Sequence, residues 1–185
     1  LYKDEHVTLD SSGKLLTVDN YAVKVLTREG RREAAGVAFY LSNFSQVTDM
    51  QAWLIAPGGT IKEYGKKEII DRISDTDDIY DEGRIKIIDA SGDADVGYIF
   101  GYTVTTEDRP LFYQDKWAFQ DDLPTIFSRF TLSLPDGWKA NSLTFNRTDI
   151  QPQVSGSTYS WELRDLAPIT SEPMSPSFVN LAPRL

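Results

Sequence analysis

The chain has 185 residues, 41% hydrophobic and 25% charged, with a formal net charge of -9. That length suits one domain, and size scaling lets it bury roughly 70% of its extended surface without staples. No cysteine and a single histidine exclude disulfides, thiolate zinc sites, cysteine nucleophiles and any site that needs two imidazoles. A pI of about 4.6 argues against a phosphate-binding surface and so against nucleic acid as a partner.

Period-2 alternation runs along most of the chain, and helical stripes are scarce. His6 shares a strand face with Thr8, opposite Val7 and Leu9, and reads as a surface residue. The Ser11-Ser12-Gly13 turn follows, then a strand with Tyr21, Val23 and Val25 on one face and Lys24 on the other. Arg28, Arg31 and Arg32 are interleaved with Glu29 and Glu33, the pattern of a charge-neutralised turn. Helix is expected only at Lys66 to Arg72 and, as second choice, at Arg31 to Ala38. Pro57-Gly58-Gly59 marks another hairpin turn.

The stretch Asp71 to Arg84 is acidic and long for a hairpin loop, an expected excursion. Its carboxylates do not follow the EF-hand order, because Ile79 and Tyr80 fall where a ligand and glycine are required. The acidic turn Asp89 to Asp95 fits no better, so no metal and no other cofactor is expected. Further on, Ile126, Phe130, Leu132 and Leu134 alternate with Arg129, Thr131 and Ser133, and Pro135-Asp136-Gly137 ends that strand. Ser155-Gly156 turns a last hairpin into Tyr159, Trp161 and Leu163. About a dozen strands at this spacing predict an all-β fold, an antiparallel β-sandwich with little helix. Residues 1–167 form that domain. Residues 168–185, with Pro168, Pro173, Pro176 and Pro183, read as an extended linker to a downstream domain.

Aromatic residues supply the candidate binding site. Tyr98, Phe100 and Tyr102 alternate on one strand, and Tyr113, Trp117 and Phe119 would share a face of the next. If Glu107 to Pro110 turns between them, two aromatic rows lie side by side, either as core or as a platform for a sugar or peptide. Tyr113, Trp117 and Trp138 are the ligand-binding candidates, and Trp138, just after a turn, is the ring expected to be exposed. Asp121 and Asp122 are sequence neighbours whose side chains diverge, and no second acid is placed opposite them as a glycosidase would require. No catalytic residue emerges.

Six stretches in order carry a resemblance. They are Lys24 to Gly30 (KVLTREG), Trp53 to Thr60 (WLIAPGGT), Ile99 to Thr105 with Arg109-Pro110-Leu111-Phe112, Trp117 to Gln120, Ser128 to Trp138 (SRFTLSLPDGW) and Trp161 to Ala167 (WELRDLA). Together, from about Asp4 to Pro176, they resemble a bacterial domain of unknown function that precedes a transglutaminase-like core. Leu123-Pro124-Thr125 departs from that pattern, where an aromatic-Pro-Val sequence is expected. The resemblance implies an extracytoplasmic, non-catalytic accessory module, with an architecture similar to sandwiches of carbohydrate-active proteins. Its implied partner is the downstream cysteine-hydrolase-like domain, which it would position or supply with substrate. The alternative, drawn from the aromatics Tyr113, Trp117 and Trp138, is a module binding cell-surface glycan or peptide, and a glycoside hydrolase is the least favoured reading. No apolar run is long enough to insert in a membrane.

Overall fold

A computed structural model describes residues 1–74, 82–147, 149–170 and 172–185. The central part of the expected acidic excursion, residues 75–81, lies outside the described residues. Eleven strands are present among those described: β1 (Tyr2–Leu9), β2 (Leu15–Lys24), β3 (Ala35–Leu41), β4 (Ser45–Ile55), β5 (Ile61–Tyr64), β6 (Ile70–Ile73), β7 (Gly83–Asp89), β8 (Ile99–Asp108), β9 (Thr125–Ser133), β10 (Gln153–Ser155) and β11 (Thr158–Leu166). They build an eight-stranded sheet, β10-β11-β9-β1-β2-β8-β4-β5, and a three-stranded sheet, β3-β7-β6. The fold is nearly all-β, as expected.

Its sheets are not purely antiparallel. β1 enters between β2 and β9 and runs parallel to β9, with Glu5 opposite Phe130. A hairpin-by-hairpin reading misses this pairing, because β9 lies more than a hundred residues downstream. The helix expected over Lys66 to Arg72 is also absent: a turn leads straight into β6, whose Ile70 and Ile73 pair with β7. Arg31 to Ala38 divides into a 3-10 turn at Glu29–Glu33 and the start of β3. Ile69 and Ile70 in the first stretch, and Gly36, Val37 and the Phe39-Tyr40 pair that follows the second, favour extended backbone over helix.

One face of the large sheet carries two apolar clusters. Val23, Met50, Leu54, Phe100 and Val104 meet Ala38 and Ile88 of the small sheet. The approach is close: a Cβ on Gly36 would lie 2.9 Å from the Tyr102 ring, so β3 presents glycine and alanine inward. Val7, Phe130 and Trp161 form the second cluster, covered by Phe119 and Ile150 from segments without regular strands. Turn chemistry fits the sequence, with the Asp10 carboxylate accepting the amides of Ser12 at 2.8 Å and Lys14 at 3.0 Å.

Among its described residues the Pro-rich end makes no regular strand, but its last residues belong to the fold. Phe119 N–H donates to the Pro183 carbonyl at 2.9 Å, and Leu185 N–H to that of Trp117 at 2.9 Å. Ala182 is fully buried, and the Arg184 guanidinium lies over the Phe145 ring. Docking these carbonyls and amides on partner backbone needs no strand propensity, only a partner with free groups.

Candidate functional site

The two aromatic rows foreseen in one sheet do not form. β8 pairs with β2 and β4, and residues 111–117 after it are loop, so Tyr113 and Trp117 sit on no strand. Phe100 and Phe119 are core residues, each with no exposure. Trp117 lies against the second cluster, its indole N–H donating to Ser128 Oγ at 3.1 Å and its ring beneath the Lys3 ammonium. Tyr113 and Trp138 instead come together at the surface, 45% and 50% exposed, with ring centroids 5.7 Å apart and planes at 84°. Two of the three sequence candidates thus share one place, and the third is packed elsewhere.

Many charged groups are engaged by other protein groups. Arg32 pairs with Glu33, and Arg31 donates to the Ser91 carbonyl. Asp93 accepts from Lys62 at 2.6 Å and from the Tyr64 hydroxyl at 2.8 Å, so the second acidic turn is occupied by protein donors. Among the described residues, no group of three or more His, Asp or Glu side chains is arranged to hold a metal ion. Asp121 bonds Lys3 at 3.3 Å. His6 is exposed and contacts Ser133 Oγ at 2.9 Å, on the wet face that also carries the Asp4–Arg129 pair.

An acid pair appears that sequence spacing does not reveal. Glu5 on β1 stands directly opposite Asp19 on β2, both half-buried on the inner face between the apolar clusters. Desolvation, then the charge of Asp19, pushes the Glu5 carboxyl far above the usual range. Desolvation raises Asp19 and, on the covering segment, Asp115. Burial lifts the neighbouring Tyr102 hydroxyl to about 12, with a further contribution from Asp19, and lowers the Lys3 ammonium against the opposing pull of Asp121. Only the register, which puts residues 5 and 19 face to face, could have signalled this pair.

The small sheet has the least expected surface. Its inner face carries Gly36, Ala38, Tyr40, Lys86 and Arg84, with Tyr40 and Arg84 both bonded to Asp71. Its outer face carries Val37, Phe39 and Leu41 of β3, Ile85 and Ile87 of β7, and Ile70 of β6, which the register places side by side, with Arg72 of β6 at the edge beside Ile85. Phe39 is 59% exposed and Ile70 56%. A sheet with one free face normally turns polar residues outward. On β3 the inward positions Gly36 and Ala38 are small, Gly36 lying against Tyr102, and Val37 and Phe39 point outward, while β7 turns Ile88 inward.

A family model for a domain of unknown function with solved structure, DUF3857, matches residues 11–170. The chain belongs to the DUF3857 family. No curated protein matches it. The DUF3857 fold seen here is similar to that of a crystal structure, at 2.00 Å, of a "putative protease" from Parabacteroides distasonis ATCC 8503. The TM-score is 0.83 over 99% of this chain, at 14% identity, which is a likeness of fold alone. This DUF3857 chain spans 38% of the length of that protein.

Proposed function

We propose that this DUF3857 domain is a non-catalytic accessory module of sandwich type that packs against a transglutaminase-like domain of the same, extracytoplasmic polypeptide. The outer face of the β3-β7-β6 sheet carries the reading. Contiguous exposed apolar surface of this kind marks an interaction site. A partner domain in the same polypeptide suits it better than a second copy, since two chains of net charge -9 repel. The occurrence of the same fold as 38% of a longer chain supports the choice. Lack of cysteine suits an oxidising compartment.

The test is calorimetry on the intact polypeptide carrying Val37→Ser and Phe39→Ser. Both side chains are more than half exposed, so the isolated domain is expected to melt within about 1 kcal/mol of the parent. In the intact polypeptide the two domains should melt together in the parent and separately in the variant. Unchanged coupling would remove this face from the interface.

A further inference from the structure

A second surface, independent of the outer face, lies where strand ends gather. Leu9 pairs with Leu15, Leu15 with Asp108, Asp108 with Ser45, and Thr8 with Ser133, so the turns after β1, β3, β8 and β9 share one end of the large sheet. The turn between β3 and β4 brings exposed Phe44, the loop after β8 brings Tyr113, and the turn after β9 brings Trp138. Tyr113 is anchored, its hydroxyl donating to the Gly13 carbonyl at 3.1 Å. Gly13 has φ +82°, and a Cβ there would come within 2.7 Å of that hydroxyl, so the turn needs glycine both for its backbone and for the ring.

At the same end of the sheet, bordered by Phe44 but not by Tyr113 or Trp138, is an open cleft of about 230 Å³ whose lining includes Lys14, Gln46, Glu107, Asp108 and Arg109. Lys14 and Gln46 both bond Glu107, at 2.6 and 3.1 Å. Asp108 Oδ1 is buried and has no hydrogen-bond partner among the described residues. A buried carboxylate oxygen without a donor is costly, and a ligand hydroxyl relieves it only where the cleft lining shifts to expose that oxygen.

We propose that this end of the domain binds a neutral saccharide, with Tyr113 and Trp138 against ring faces and Asp108 accepting from a sugar hydroxyl. The mixture of groups selects the ligand. Sugar hydroxyls donate and accept together, matching a cleft that offers Asp108 as acceptor and Lys14, Gln46 and Arg109 as donors. Phosphate would face Glu107 and Asp108, and a cation would face Lys14 and Arg109. An extended peptide is captured best along a free strand edge, and strand ends offer none. The cleft is smaller than pockets that enclose a drug-sized ligand, so it takes one ring while the rest of a chain runs over the aromatics.

Isothermal titration with cellohexaose, xylohexaose, chitohexaose and maltohexaose tests this. At least one is expected to bind saturably at millimolar concentration or below. Trp138→Ala and, with the shape of the cleft kept, Asp108→Asn should each weaken that binding about tenfold or more. Val37→Ser with Phe39→Ser should leave it unchanged, which separates this site from the docking face. Binding to none of the four, or binding that both Trp138→Ala and Asp108→Asn leave intact, overturns the proposal.

Discussion

Replacing Trp161 by alanine is expected to cost about 3–5 kcal/mol of folding stability, the range for deleting a large buried ring. Trp161 is 2% exposed and is the largest fully buried side chain. It sits 5.8 Å from Phe130 and 6.1 Å from Tyr159, ring to ring, at the centre of the second apolar cluster. That cluster has no second sheet above it and is roofed by Phe119, Ile150 and the last residues of the chain. Removing the ring therefore undermines the floor on which those segments rest. A domain of this size has about 5–15 kcal/mol in total, so the variant should melt roughly 10 °C lower and lose protection at Phe119 and Leu185 first. Trp161→Phe, which retains a ring, should lose less than half as much. A loss below about 1 kcal/mol for the alanine variant would mean that this half of the sheet is not a core.

Asp19→Asn is expected to work in the opposite direction, raising stability at neutral pH by about 1–2 kcal/mol. Glu5 and Asp19 oppose each other across β1 and β2, where like charges repel. The groups facing them are Lys3 on β1, already bonded to Asp121, Tyr21 on β2, Tyr102 on β8, and Asp115 from the covering segment. In the unfolded chain Glu5 titrates near 4.5, and in the folded chain well above it. Between those limits the folded state binds the extra proton, so stability falls as pH rises through the window and is steady below it. With Asn at position 19 the charge opposite Glu5 is gone, and this fall should shrink. Denaturant melts of parent and variant from pH 4 to 9 measure it directly. Equal slopes for the two proteins, or a variant less stable at pH 8, would show that Asp19 does not raise the Glu5 carboxyl.

Much of the fold is legible in the residues. Alternation at Tyr21 to Val25 and Tyr159 to Leu163 matches β2 and β11, and the turns at Ser11-Ser12-Gly13, Pro57-Gly58-Gly59 and Ser155-Gly156 match the β1–β2, β4–β5 and β10–β11 hairpins, because period and turn chemistry are local properties. Pairing between distant strands is not local, and the β1–β9 parallel ladder leaves no mark in either segment. β6 is missed for a related reason. Lys67, Glu68, Ile69 and Ile70 suit one turn of helix by composition, and only the partner strand β7 makes Ile70 to Ile73 extended.

The candidate sites divide in the same way. Trp138 is exposed as its place after the Pro135 turn suggests, whereas Trp117 is drawn inward by Ser128, on the following strand β9, and by Lys3, far from it in sequence. The outer face of the small sheet is written in the chain as Val37, Phe39 and Leu41 alternating with Gly36, Ala38 and Tyr40. Period alone assigns the larger apolar set to the core. The close approach of Tyr102 to Gly36 reverses that assignment and turns the larger residues outward.

Hydrogen exchange on the intact polypeptide, compared with the isolated domain, tests the docking account most directly. The account predicts that amides in Ala35–Leu41 and Gly83–Asp89 exchange more slowly in the intact polypeptide, while those around Tyr113 and Trp138 do not change. Equal exchange across β3 and β7 in the two samples, or slowing confined to the strand-end loops, would contradict it.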